Sequence, residues 1–347
     1  TPYGLAAIAA ALEIKGFQTQ IFDSLATPKS RVLALPEEFA HIEPFYERPD
    51  LSLFSLFHEF RHFGYSFEHL GNQVRRKKPF LAGISSLFTA YSDQALKTAE
   101  TIKKVSPNTL VVMGGHHPTH FPEQVLESRA VDFIIRGEGE IGLPLLCQSL
   151  KEKGDLKHIP GIGFKRKNKM FIASPAWIKD LSGLPLPQFP HFSSKYYKRK
   201  HKAAVTVVTS RGCPMPCSYC SVSSKSNHGR FRQRPVSDVL EEIRRQAEEW
   251  DIGFIDFEDE NLSLNKPYFL SLLNGLDNFF PKEKPELRAM NGLFPPSLDR
   301  QVIQAMKNSG FKTLNLSLGS ACQNQLKRFN RPDVRRDHDR VLDLAQD

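Results

Sequence analysis

"AAVTVVTS" (residues 203–210) runs straight into "SRGCPMPCSYCSVSS" (210–224). The first stretch is a short apolar, β-branched run, the composition of a buried strand. The second holds three of the chain's five cysteines, so Cys213, Cys217 and Cys220 stand on the loop that follows that strand. Downstream the alternation continues with helix "SDVLEEIRRQAEEW" (237–250), strand "FIDFEDE" (254–260), a helix over 266–279 and strand "ELRAMNG" (286–292). Helix "LDRQVIQAMKNSG" (298–310) and strand "TLNLSLGS" (313–320) complete it. Alternating strands and helices build a parallel sheet. Four such units in residues 201–347 amount to half of an eight-unit barrel, which needs about 250 residues. Barrel active sites are built on the loops after the strands, and the cysteines fall on such a loop.

Working outward to residues 1–150, the same alternation recurs. "YGLAAIAAALEIKGF" (3–17) has helical spacing and stops at Gly16; "QTQIFDS" (18–24) predicts a strand. After an aromatic-rich excursion (40–70), "FLAGISS" (80–86), "TLVVMGG" (109–115) and "VDFIIRGEGE" (131–140) predict strands with turns, with helix "DQALKTAETIKKV" (93–105) between the first two. The fold class expected here is α/β, a doubly wound, flavodoxin-like parallel sheet followed by the partial (β/α) barrel. Helix 3–15 has no strand before it, so the first strand of this unit is expected upstream of Thr1. The chain does not begin with Met, which fits a fragment.

Ligands of such sheets sit where the C-terminal strand ends open into loops. Those ends carry Gly83, Ser85, Ser86 and Thr89, then Gly114, Gly115 and His117, then Gly137, Glu138 and Gly139. Each set alone reads as an ordinary turn. Three sets at one sheet edge, all small or polar, suit the close approach of a bulky flat ligand. Residues 151–200 contain a hairpin, "IPGIGFKRKNKMFIAS" (159–174), and a Pro-rich stretch, "LSGLPLPQFP" (181–190), which forms a stiff linker. The expected division is therefore 1–150, 151–200 and 201–347.

The formal charge of +9 is not spread evenly. Residues 1–150 carry 14 Lys/Arg against 16 Asp/Glu, 151–200 carry 12 against 3, and 201–347 carry 21 against 19. The excess sits in the connecting stretch, as in "KRKNK" (165–169), which reads as a solvated linker and makes nucleic acid an unlikely partner. No run of about 18 apolar residues is present, so no membrane span is expected, and the opening residues lack the basic start of a signal peptide. An odd number of cysteines, with three clustered, argues against a secreted disulfide framework. The expectation is a cytoplasmic protein.

Thiolates select zinc, copper(I) and iron–sulfur clusters. A structural zinc ion wants four closed ligands, and no fourth is evident. Cys147 belongs to the first half, Cys322 lies over a hundred residues on, and His228 falls in a basic loop. A four-iron cluster on three cysteines leaves one iron open to an outside ligand.

The CxxxCxxC pattern of Cys213, Cys217 and Cys220, with Tyr219 before the last cysteine, resembles the radical S-adenosylmethionine (radical SAM) superfamily. That resemblance implies a 4Fe-4S cluster whose open iron is chelated by the methionine moiety of SAM. It also implies reductive cleavage to a 5′-deoxyadenosyl radical and an external electron donor of flavodoxin or ferredoxin type. "PYGLAAIAAAL", "GGHHPTHFPE" and "VDFIIRGEGE" resemble the cobalamin-binding domain that precedes the radical module in one large subgroup, and "LSGLPLPQFP" resembles its linker. By this resemblance the ten small and polar residues at the sheet edge line cobalamin. The DxHxxG motif of many corrinoid proteins is absent, so cobalamin without a histidine ligand is expected.

"FEDENL" resembles the segment that receives the methionine amino group, which nominates Asp259 and Glu260; the competing reading is solvated surface acids. Tyr219 is also expected at the SAM site. Gly319 stands where many relatives place a Glu, whose role passes to Asn315 or Ser317 or is lost. The expected function is a cobalamin-dependent radical SAM enzyme, a methyltransferase acting on an unactivated carbon. The alternatives are a radical cyclase or rearrangement enzyme, and a corrinoid- or zinc-binding module without catalysis. The small-molecule or peptide-like substrate is not named by the sequence.

Overall fold

The computed structural model describes residues 2–46, 56–167, 169–187, 194–222 and 231–346; His228 and part of the Pro-rich stretch lie outside them. Helix α1 (Tyr3–Ile14) buries Ala6, Ala7, Ala9, Ala10 and Ala11. An antiparallel pair, β1 (Ser30–Val32) with β2 (Arg61–Phe63), leads into α2 (Phe67–Lys77), which Ser66 caps by accepting from the His69 amide. Next come β3 (Leu81–Ser85), α3 (Ser92–Val105), β4 (Leu110–Gly114), the short α4 (His116–His120) and α5 (Pro122–Glu127). Strand β5 (Phe133–Ile135), α6 (Gly139–Glu152) and the hairpin β6 (Ile162–Arg166) and β7 (Lys169–Ile172) follow.

These strands form a five-stranded sheet in the order β3-β4-β5-β6-β7. The first three are parallel and the hairpin joins β5 antiparallel. The alternation of a pleated strand splits the core in two. Val111, Met113 and Ile134 face one cluster with Ala99 and Ile102 of α3, while Val112, Phe133 and Ile135 face the other with Leu143 and Leu146 of α6. The hairpin expected in the connecting stretch thus belongs to the first sheet.

The strand expected over 18–24 does not form. In the flavodoxin-like order 2-1-3-4-5 the second strand pairs only with the first, and among the described residues no strand precedes α1. Residues 18–23 therefore have no ladder, and β3 is the sheet's edge.

The second half begins with β8 (Lys198–Arg199) and β9 (Lys202–Val207), then a two-residue pair, β10 (Ser210–Arg211) with β11 (Arg232–Gln233). Helix α7 (Val236–Glu249), β12 (Ile252–Phe257), α8 (Lys266–Phe279), β13 (Glu286–Ala289) and α9 (Arg300–Ser309) continue the alternation. The sheet order is β13-β12-β9-β8, with β9, β12 and β13 parallel. Its core joins Val205, Ile255, Phe257 and Leu287 of the strands to Val239, Ile243, Phe269, Leu272 and Val302 of the helices. The strand expected over 313–320 is reduced to isolated bridges, Phe311 with Leu287 and Leu316 with Leu293. Asn315 Nδ2 donates to the carbonyls of Ala289 and Met290, so a side chain competes with the ladder there. Two helices not anticipated, α10 (Gln323–Arg328) and α11 (Arg335–Gln346), end the described chain. Among the described residues no helix is long and apolar enough to cross a membrane.

The halves touch through α1. Ala6 packs with Tyr3, Ile21 and Trp250, and Tyr3 reaches the buried ion pair of Arg234 with Glu242 (2.7 Å). Arg234 Nη1 donates to the Tyr3 hydroxyl at 2.9 Å.

Candidate active site

The approach to the cysteines is fixed by one carboxylate. Asp259, 1% exposed just beyond β12, accepts from the Thr209 amide (3.2 Å), the Thr209 hydroxyl (2.7 Å) and the Ser210 hydroxyl (2.5 Å). Burial pushes its pKa up against these donors. Gly212, at φ +80°, then turns the chain into the motif. Cys217 is buried, and Cys213 and Cys220 are half-buried. Burial raises the Cys213 pKa, the backbone at Met215 opposes it, and Cys220, Cys217 and Glu260 add to the rise. The three thiols and Glu260 therefore share one electrostatic neighbourhood. Among the described residues no three His, Cys, Asp or Glu side chains converge on a single-ion position. Cys147 lies in the first core, where burial pushes its thiol to about 11, and Cys322 is exposed ahead of α10.

A segment that sequence reasoning missed closes over the motif. The Ser218 amide donates to Phe329 O (2.8 Å) and Asn330 Nδ2 to Pro216 O (3.2 Å), while the Tyr219 and Phe329 rings stand 5.0 Å apart. Arg331 Nη1 donates to the Tyr219 hydroxyl at 2.7 Å and lies 3.9 Å from Cys217 Sγ. Its guanidinium covers Gly319, where a Cβ would come within 2.1 Å of Arg331 Nε. Gly319, which stands where many relatives place a Glu, is thus covered by an arginine from elsewhere. The turn-forming "NRPD" (330–333) was the available signal, but nothing in it pointed at the cysteines.

The SAM candidates divide. Asp259 accepts from Thr209 and Ser210 and so braces the segment before the cysteines. Glu260 is half-buried; burial foremost pushes its pKa up, Asp259 adds to this, and Arg211 and Arg232 oppose it. Next to it Asn261 is buried with its Oδ1 unpartnered, a polar atom available to a ligand. Asn315 spends its amide on the β13 backbone. Ser317 supplies its carbonyl to Arg331 (3.4 Å) and its Oγ stands 2.8 Å from where a Cβ on Gly292 would be. Tyr219 is over half exposed.

At the other sheet, Ser85, Gly114 and Ile135 end β3, β4 and β5 in register. Ser86 Oγ and His117 Nε2 are buried there without partners, while His117 Nδ1 meets Thr89 Oγ1 at 3.3 Å and burial lowers the His117 pKa. Phe88 and Tyr91 are 67% and 66% exposed, and Leu87, Phe121 and Ile141 are exposed beside the same loops. Orphaned polar atoms beneath an exposed apolar rim fit a large ligand with an apolar ring face and polar edges, as cobalamin has. Gly115 has a structural reason of its own. At φ +109° its Cβ would meet Ser86 O at 2.6 Å, whereas Gly83 and Gly114 have ordinary clearance.

Gly137, Glu138 and Gly139, also expected at that edge, make contacts with other elements. Gly137 bridges Ala176, whose carbonyl lies 2.2 Å from a Cβ built on the glycine, and Gly139 packs against Ile8 of α1. The Glu138 carboxylate accepts from the Ile178 amide (2.7 Å) and pairs with Arg232 (2.9 Å) and Arg211 (3.6 Å). It faces the cysteine motif.

Residues 1–146 match the B12 binding domain family, and residues 207–347 match the radical SAM superfamily. An uncharacterised methyltransferase of Pyrococcus horikoshii is 29% identical over 258 residues, 74% of this chain and 55% of its own. The anaerobic magnesium-protoporphyrin IX monomethyl ester cyclase of Synechocystis is 34% identical over 166 residues, 46% of this chain and 32% of its own. The fold matches that of the radical SAM methyltransferase TsrM from Kitasatospora setae, solved with cobalamin and a [4Fe-4S] cluster. Its TM-score is 0.71 at 17% identity, covering 99% of this chain and 62% of that one. The chain thus spans one third to two thirds of the length of these relatives. Along the chain the two matches follow the order of the two sheets: a B12-binding domain over residues 1–146, then a radical SAM domain over 207–347.

Proposed function

We propose that the protein is a cobalamin-dependent radical SAM enzyme that methylates an unactivated carbon. The observation that carries the reading is the open three-cysteine set beside Glu260 and the unpartnered Asn261, in one molecule with a B12-binding sheet. Cys213, Cys217 and Cys220 hold the 4Fe-4S cluster. Glu260 and Asn261 receive the methionine ammonium of SAM, since a carboxylate and an amide oxygen both accept from it; Tyr219 and Ser317 flank it and Asn315 fixes the backbone. Gly83, Ser85, Ser86, Thr89, Gly114, Gly115 and His117 form the cobalamin edge, with Leu87, Phe88 and Tyr91 excluding water. Bound there, the cluster and cobalamin would supply one-electron cleavage of SAM and carriage of a methyl group. The functional division is 1–150, 151–200 and 201–347. The free cysteines suit the cytoplasm and a flavodoxin- or ferredoxin-type donor; the substrate is a small or peptide-like molecule.

Similarity to the cyclase keeps cyclisation or rearrangement as the second reading. Product analysis of the full-length protein under strong reductant decides. Methylation releases S-adenosylhomocysteine and 5′-deoxyadenosine in equal amounts, because methyl transfer and radical generation each consume one SAM. A cyclase releases 5′-deoxyadenosine without matching S-adenosylhomocysteine, and a binding module releases neither.

A further inference from the structure

The two residues that lead into the cysteine motif have an unusual partner. Strand β10 pairs with β11 through only two positions, and one of these sets Arg211 directly opposite Arg232. Like charges opposite one another destabilise a ladder, and here both guanidiniums are largely buried, at 20% and 9% exposure. A two-residue ladder does not hold such a pair together by itself.

Glu260 of the same half lies within electrostatic reach of both arginines, but the direct ion pairs come from the other half of the molecule. Glu140, in the first turn of α6, pairs with Arg211 Nη2 at 2.5 Å; Glu138 stands between the arginines, 3.6 Å from Arg211 and 2.9 Å from Arg232. Glu138 also holds the Ile178 amide, and Arg232 donates to the Ile178 carbonyl. Both acids are themselves buried to about the same degree, so removing either one leaves a buried cation short of counter-charge. On its far side the same segment is held by Asp259 through Thr209 and Ser210.

We infer that Glu138 and Glu140 of the B12-binding half are positioning residues for the radical half: by neutralising the opposed Arg211 and Arg232 they fix the chain entering Cys213, and with it the placement of the cysteine loop relative to the first sheet. The part that concerns two bound cofactors rests on the proposed function. The part that concerns the loop does not.

The experiment separates them using the full-length protein with Glu138→Gln, Glu140→Gln, the conservative Glu140→Asp, and Glu241→Gln as a control on an exposed helical ion pair. Without cofactors, amide hydrogen exchange at Arg211–Cys213 should quicken at least tenfold in both Gln variants, recover partly in Glu140→Asp, and stay unchanged in the control. Unchanged exchange in both Gln variants overturns the inference, whatever binds. With cofactors loaded, iron and cobalamin contents should remain at wild-type levels. The magnetic dipolar splitting between cob(II)alamin and the reduced cluster should broaden or shift. Wild-type splitting in variants with quickened exchange overturns the positioning role. A wild-type protein that takes up no cobalamin overturns the proposed function while leaving the exchange result standing. If Glu138→Gln fails to fold, Glu140→Gln and its Asp rescue carry the same decision.

Discussion

Replacing Asp259 by Ala should destabilise the second half of the protein by about 3 kcal/mol, and replacing it by Asn by only about 1 kcal/mol. The carboxylate is buried and takes three donors: the Thr209 amide, the Thr209 hydroxyl and the Ser210 hydroxyl. A buried donor left without a partner costs roughly 1–3 kcal/mol. The two hydroxyls can rotate toward other acceptors, so the sum falls well short of three full penalties. Asn keeps the oxygen that both hydroxyls use and loses only charge assistance and one amide contact. The difference can be followed by urea unfolding monitored through tryptophan fluorescence, because Trp250 packs against the second core. Iron content after anaerobic reconstitution provides the second readout and should fall in the Ala variant as the entry to Cys213 loosens. Asp259 has a rival role as the acceptor of the SAM ammonium, with the opposite signature. If Asp259→Ala unfolds within 0.5 kcal/mol of wild type but binds SAM tenfold more weakly, the brace is refuted and the carboxylate belongs to the ligand.

Changing Cys213, Cys217 or Cys220 to Ala should abolish visible iron–sulfur absorbance, while Cys147→Ala and Cys322→Ala keep it; loss of iron in Cys322→Ala would overturn the three-cysteine set. Gly115→Ala should destabilise the first half by at least 2 kcal/mol, because φ is +109° and the clash is with backbone. Gly114→Ala, with nearest contact at 3.7 Å, should leave stability unchanged, so equal thermal shifts in the two variants would contradict this reading. Burial pushes Glu242 up to about 7, with Arg234 and Tyr3 pulling the other way. Its folded pKa lies above the unfolded value of about 4.3, so the stability it contributes is full below that value and fades as pH rises through 7. Glu242→Gln should flatten the stability profile between those limits, and an unaltered profile would show that Glu242 does not titrate there.

What the sequence disclosed and what it withheld follow one physical divide. Alternation of apolar runs with amphipathic helices is a local pattern, and it located β3, β4, β5, β9, β12 and β13 with helices α1, α3, α7, α8 and α9, but not α2, α5 or α6. The cysteine motif is equally local, since its chemistry resides in spacing along seven or eight residues. Where a segment's state depends on a partner distant in sequence, the local pattern misled. Residues 18–24 have strand composition but pair with no strand among the described residues, and over 313–320 the Asn315 side chain takes the carbonyls of Ala289 and Met290. The acids show the same limit more sharply. "FEDE" and "RGEGE" both read as carboxylates at ligand loops, Asp259 and Glu260 for SAM and Glu138 for cobalamin, yet Asp259 also accepts from Thr209 and Ser210, and Glu138 and Glu140 pair with arginines about seventy to ninety residues away. A carboxylate's role is set by which cation or donor the fold delivers to it. For these three that delivery converges on a single segment, residues 209–211, and the segment is short enough that its conformation is decided from outside. The placement of the cysteine loop is therefore a property of both halves of the molecule, although every residue that would ligate the cluster lies in one of them.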